Sequence, residues 1–360
     1  MAPSLLFANV GTPLMLIGCG HLVLGNLIIG LCEGGLLSWW GGVKYKAAAL
    51  KMIAANYISG LLGWAVLPVL VRWVDASFMD PPLYRAGLTL GVLVVVAFVL
   101  TVLVEWPLVL WSLQGSRRGR GARVAAGVWT QAASYAVLIP MYVSVSPMTL
   151  LTDYAVVRDV SGMAGGANGW VYYVDDRDGS VRRVRLDYAG DEKVGQVSDV
   201  NRHRRWEPLW ARPEIDGSVS IVDGEDANAK IVATQASGVV GARTDEYNPD
   251  GPSRVYAIDF RADPSHATYS YWALPDWESG LRRIESEPGD SPNVRVTREL
   301  TFSNALMHWQ AGSPVILPNG SVVFEFGDQI VIMDEQRRIG FLAIGSSPAV
   351  VLDLPGERDK

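Results

Sequence analysis

Four long apolar runs, separated by short polar connections, occupy the first 150 positions, and a polar stretch of short alternating segments fills the rest. The runs are Pro13 to Trp40, about Ala48 to Val71, Ala86 to Trp111 and Val124 to Val145. Each is as long as, or longer than, the roughly 20 apolar residues a helix needs to cross a bilayer. Thr12-Pro13 reads as a helix start, and Pro68 and Pro140 read as kinks. The pattern predicts a transmembrane domain of four helices over residues 1–150, followed by a β-rich domain over 151–360.

The first run organises the helical half. It carries three polar side chains, His21, Asn26 and Glu33, within PLMLIGCGHLVLGNLIIGLCEGGLLSWW. An ionisable group at membrane depth is costly and faces protein or water rather than lipid. The third run repeats the motif. Glu33, Leu36 and Trp39 match Glu105, Leu108 and Trp111 as E-x-x-L-x-x-W, and Asn56 and Ser59 match Gln131 and Ser134. The pattern predicts a duplicated helical hairpin related by a pseudo-two-fold axis along the membrane normal. Both Glu residues lie near the end of a descending helix, and their amide and hydroxyl partners lie near the start of the returning one. Glu33, Asn56, Ser59, Glu105, Gln131 and Ser134 therefore read as one intramembrane polar cluster. An interhelical clamp is the first reading of that cluster, and a proton or cation site of paired acids is the second.

Gly30-x-x-x-Gly34 predicts close helix packing. His21 is read as hydrogen-bonded to a neighbouring helix; the alternative is a single axial ligand to a tetrapyrrole, with Gly18 and Gly20 leaving room for the ring. No other cofactor is assigned. Trp39, Trp40, Trp73, Trp106 and Trp111 fall near the ends of the runs, as interfacial tryptophans do.

Lys44, Lys46 and Lys51 mark the first connection, and Arg117, Arg118, Arg120 and Arg123 mark the third. The second has only Arg72 and Arg85, offset by Asp75 and Asp80. Basic connections stay cytoplasmic, which predicts a multi-pass membrane protein whose termini and β-rich half are extracytoplasmic. The first twelve residues lack Lys and Arg, so the opening segment reads as a retained span rather than a signal peptide. Cys19 and Cys32 lie thirteen residues apart on one helix, too far along its axis for a disulfide.

In the polar half a phrase recurs: a turn, then an alternating strand. It appears at Asn168–Asp175, Asp216–Asp223, Ser253–Asp259 and Asn319–Phe326. Asn-Gly and Asp-Gly before period-2 alternation signal hairpins. The stretch from Ser313 to Phe324 resembles the blade openings of WD40-like or TolB-like propellers, which implies a small β-propeller; a β-sandwich is the alternative.

Little in this half points to catalysis. His203, His266 and His308 are far apart and show no metal-ligand spacing. Asp175, Asp176 and Asp178 before Gly179 read as a solvated hairpin turn, and Asn201 to Arg205 as a basic loop. Trp206, Trp210, Trp272, Trp277 and Trp309 are candidate interface residues, since tryptophan favours interface centres. The net charge of −6 argues against nucleic acid as a partner. The expected function is a non-catalytic membrane subunit that assembles a larger complex through a protein-binding β domain, with the lipid bilayer and other subunits as partners. The rivals are an ion- or proton-translocating unit using Glu33 and Glu105, and a cofactor-binding sensor using His21.

Overall fold

The computed structural model describes residues 24–73, 82–145, 148–187, 190–199, 209–224, 229–240, 253–259, 269–275, 280–286, 294–303 and 308–353. The chain divides into two compact units. One comprises residues 1–79 and 87–147; the other comprises residues 80–86 and 148–360. Residues 80–86, between the second and third apolar runs, thus belong to the β-rich unit, which the sequence boundary at 150 did not foresee.

The helical unit contains α1 (Asn26–Gly41), α2 (Tyr45–Trp73), α3 (Ala86–Ser112) and α4 (Arg120–Val145). Gly42 ends α1 in the left-handed region, at φ 67°, with its N–H donating to the Ser38 carbonyl. The Ser38 hydroxyl donates to the Val43 carbonyl at 2.8 Å. These bonds close a tight turn that sends α2 back along α1. Leu37, Ala48, Met52, Ala55, Val109 and Leu113 form the buried apolar centre of the unit.

The expectation of four membrane spans is overturned. Among the described residues a single helical stretch, Leu83–Ser112, is long and apolar enough to cross a membrane. The described part of α1 is 16 residues long and buries Asn26 and Glu33. Lys46, Lys51 and Asn56 dilute the apolar character of α2, and Arg120, Arg123 and Gln131 dilute that of α4.

After α4 the β-rich unit resumes with a one-turn helix, α5 (Thr149–Thr152), and its described residues form five sheets. In the first, Ala155–Val157 runs parallel to Arg338–Ile344, followed by the antiparallel strands Gln329–Met333, Val322–Phe326 and Ala311–Ile316. The second is ordered Asp191–Gln196, Ser180–Arg185, Gly169–Val174, Ser346–Leu352 and Val239–Val240. A third holds Leu209–Pro213, Val219–Asp223 and Lys230–Gln235. The strands Ser253–Asp259, Tyr269–Pro275, Leu281–Ser286 and Val294–Leu300 form a fourth, and Phe302–Ser303 pairs with His308–Trp309 in the last.

The second sheet is buried on both faces. Val171, Tyr173, Val350 and Leu352 pack with Val315, Val323, Ile330 and Ile332 of the first sheet. Tyr172, Val174, Ala349 and Val351 pack with Leu209, Val219 and Ile221 of the third. Successive strand residues point to opposite faces, so this double burial explains why GWVYYV and SSPAVVL are nearly continuous apolar runs.

The propeller expectation is overturned too. The recurring turn-and-strand phrases do form strands, but the strands assemble into mixed and antiparallel sheets of unequal size, with no closed propeller or barrel among the described residues. A simple two-sheet sandwich is also ruled out by the packing of the second sheet through both faces. Local turn chemistry sets a hairpin but leaves open which sheet it joins.

A short 3-10 turn, Leu83–Arg85, is fastened to the rest of the β unit. The buried Leu83 N–H donates to Gln329 Oε1 at 2.6 Å, and the Arg158 guanidinium lies 5.3 Å from the Tyr84 ring centre.

Candidate functional site

The candidate site lies inside the helical unit, where α1, α2, α3 and α4 each present polar side chains to one another. Asn56 Nδ2 donates to Glu33 Oε2 at 2.6 Å, and Ser134 Oγ donates to Glu33 Oε1 at 2.7 Å. Gln131 Nε2 donates to Glu105 Oε2 at 2.6 Å, and the Ser59 hydroxyl donates to Glu105 Oε1. All six residues singled out from the repeat are therefore brought into one hydrogen-bonded cluster.

The arrangement obeys the repeat. Glu33 on α1 takes an amide donor from α2, its neighbour in sequence, and a hydroxyl donor from α4. Glu105 on α3 takes an amide donor from α4, its neighbour in sequence, and a hydroxyl donor from α2. Each hairpin thus supplies its own carboxylate with an amide and the other's with a hydroxyl. Both carboxylates are about 1% exposed, and Asn56 and Gln131 are buried beside them. Buried carboxylates are tolerated where both oxygens find donors, and here all four oxygens do. The geometry ties two hairpins together; it leaves each acid's oxygens already occupied by neutral donors.

Sequence reasoning missed a neighbour of this cluster. Thr101 and Tyr135 share a hydroxyl–hydroxyl bond of 2.7 Å, and the Tyr135 ring meets Phe98 edge-on with centroids 4.7 Å apart. Thr101 lies one turn before Glu105 and Tyr135 directly follows Ser134, both outside the matched positions, so the repeat gave no signal for them.

Gly30 and Gly34 lie in the α1–α2 seam. A Cβ at Gly30 would stand 2.5 Å from the Ile53 Cα, and one at Gly34 would stand 2.3 Å from the Ala49 Cα. The close approach is therefore within the first hairpin. In the second hairpin Gly127 plays a similar part, facing Val109 and Trp106.

The other candidates are scattered. His21, Trp206 and Trp277 lie outside the described residues, as does the Trp272 side chain. Trp210 is half-buried on a strand of the third sheet. Trp309 is a correction: it is fully buried, packed against Phe302 at 4.6 Å and Phe326 at 5.4 Å between ring centroids. It fills a core instead of presenting a surface, because its strand turns it inward onto aromatic neighbours. Among the described residues no group of His, Cys, Asp and Glu is arranged to hold a metal ion.

The β unit contains one polar arrangement that was not anticipated. Glu325, in the otherwise apolar strand Val322–Phe326, accepts from the Ser347 N–H at 2.9 Å. Burial, reinforced by the nearby charges of Asp176 and Asp328, pushes its carboxyl up to about 8, against the pull of the Ser347 N–H. The Ser346 hydroxyl donates to Asp176 Oδ1 at 2.7 Å. A lone Glu between phenylalanines in VVFEF was the available signal.

No protein-family model matches the chain, and no curated protein matches it.

Proposed function

We propose that this chain is a non-catalytic membrane subunit, anchored through α3, whose β unit docks other proteins of a larger complex. The observation that carries the reading is the surface of α3. Leu88, Val92, Val95, Val96, Val99, Leu100 and Leu103 are all exposed, some by more than 60%. A helix with its leucines and valines turned outward over about four turns has no stable place in water and fits lipid.

Two features of the β unit suit protein docking. The half-buried Trp170 ring is covered by the guanidinium groups of Arg183 and Arg185, at 4.2 and 5.3 Å from its centre. Ile215 stands fully exposed at a hairpin tip. Tryptophan and arginine dominate binding hot spots. The Glu33–Glu105 cluster supports an assembled, rigid helical unit rather than ion transfer, since its oxygens are satisfied within the protein.

Alkaline carbonate extraction of membranes from cells expressing the full chain tests the anchor. The expected result is that the chain stays with the membrane pellet; release into the supernatant would overturn the anchor reading. A photo-crosslinking amino acid at position 215 tests the docking half. Discrete adducts larger than the chain are expected, and their absence from intact cells would overturn it.

A further inference from the structure

One end of the helical unit carries cations without counter-ions. Lys44, Lys46, Arg117, Arg118 and Arg120 are exposed, and Arg123 is half-buried. None of the six makes an ion pair among the described residues. The acids of the helical unit, again among the described residues, are Glu33 and Glu105, and both are buried within the cluster. Among the described residues of the unit, no acid is therefore placed to neutralise them.

The same end has a groove of about 430 Å³ between Trp40 and Trp129, with Arg118 at its rim and Ala122, Ala125 and Ala126 along its floor. Trp129 is 65% exposed. Two indoles, an alanine floor and one free guanidinium combine an apolar slot with a single positive head. Tryptophan settles at the headgroup level of a bilayer, and arginine binds phosphate oxygens in bidentate fashion. The positive end of the α4 dipole, at Arg120, adds to the field there.

We propose that this groove binds one anionic phospholipid, its phosphate on Arg118 and the upper part of its acyl chains along the alanines between Trp40 and Trp129. The remaining cations attract the anionic leaflet in general, whereas the groove selects a site on it. The inference rests on the membrane reading above.

The test uses the full chain, purified and delipidated in mild detergent, in native mass spectrometry. Phosphatidylglycerol, phosphatidylcholine and inorganic phosphate are added separately. Phosphatidylglycerol is expected to remain bound in preference to phosphatidylcholine, and Arg118→Gln is expected to lower that occupancy by about tenfold, the loss of one bidentate contact. Arg117→Gln, which lies outside the groove, is expected to have a much smaller effect. Equal losses from both substitutions would mean diffuse attraction and would overturn the site. Competition by inorganic phosphate at matching concentration would mean that the groove takes a free anion, which also overturns it. Flotation with vesicles separates this failure from that of the membrane reading. A chain that floats with neutral phosphatidylcholine vesicles yet shows no preference for phosphatidylglycerol loses only the groove, whereas a chain that floats with neither loses the anchor.

Discussion

Ser134 Oγ lies 2.7 Å from Glu33 Oε1, although 101 positions separate the two residues. The mirror contact, Ser59 to Glu105, spans 46 positions. These two hydroxyls are the bonds that cross between the hairpins, while Asn56 and Gln131 serve the acid of their own hairpin. The two hairpins place four donors so that two buried acids are each held twice.

That arrangement predicts a difference between removing charge and removing hydrogen bonds. In Glu33→Gln the new amide can turn its oxygen toward Asn56 and its NH₂ toward the Ser134 hydroxyl, which can accept as well as donate. Glu33→Gln and Glu105→Gln should therefore fold with near-native stability. Glu33→Leu should lose about 1–3 kcal/mol, because Asn56 is left buried without its partner. Unfolding in detergent, followed by circular dichroism, checks this. A Gln variant as unstable as the Leu variant would show that the ionised form, and not the hydrogen-bonding shape, holds the cluster.

The glycine seam predicts a second contrast. A Cβ at Gly34 would overlap the Ala49 backbone, whereas one at Gly91 on α3 meets nothing within 4 Å. Gly34→Ala should destabilise the helical unit by about 1–3 kcal/mol through overpacking. Gly91→Ala should be neutral, or should stabilise by up to about 1 kcal/mol through helix propensity. Equal effects from the two in a thermal melt would mean that the α1–α2 approach is looser than 2.3 Å to the Ala49 Cα implies.

Much of the helical unit could be read in the sequence, because its information is local and costly. Glu33, Asn56, Glu105 and Gln131 stand out as polar side chains in apolar runs, and the shared E-x-x-L-x-x-W motif exposes the repeat. The number of spans was misjudged because apolar length alone was counted. Lys46, Lys51 and Asn56 in α2, and Arg120 and Gln131 in α4, lower the apolar character of helices that pack against each other. In the β unit the hairpin turns were legible, since Asn319-Gly320 and Asp216-Gly217 supply positive φ where the turn requires it. Sheet membership was not. Ser346–Leu352 pairs with Gly169–Val174, and Ala155–Val157 runs parallel to Arg338–Ile344. Such pairings join distant segments, and no turn residue encodes them. Trp309 was misplaced for the same reason: its strand context gave alternation but not which face met Phe302 and Phe326.

The burial of Trp309 gives a third prediction. Trp309→Ala should destabilise the β unit by about 3–5 kcal/mol, as large aromatic truncations in a core do. Trp309→Phe should retain most of the stability, since the indole N–H has no hydrogen-bond partner to lose among the described residues. Protection of the neighbouring strands in hydrogen exchange reads the effect directly. A surface role would instead leave exchange unchanged in both variants.

Glu325 makes the β unit sensitive to pH, and the sign follows from its position. Its carboxyl is raised from 4.5 to about 8 in the folded chain by burial and by the charges of Asp176 and Asp328. Below about pH 4.5 folded and unfolded chains both hold this proton, so Glu325 contributes no slope. Between that pH and about 8 the folded chain keeps a proton that the unfolded chain has released, and stability falls as pH rises. Above about 8 both forms are ionised and the loss is complete. Allowing for partial exposure to solvent, the total is on the order of 1–3 kcal/mol. Glu325→Gln imitates the protonated form. It should match the native chain near pH 4 and exceed it increasingly toward pH 9, a range that brackets both values. Asp176→Asn removes one of the repelling charges and should move the midpoint of the native slope to lower pH. Thermal unfolding of the full chain by near-ultraviolet circular dichroism across that range is the measurement. A Glu325→Gln curve offset by the same amount at every pH would mean that the carboxyl is already ionised in the folded chain at acidic pH, and that Ser347 outweighs burial.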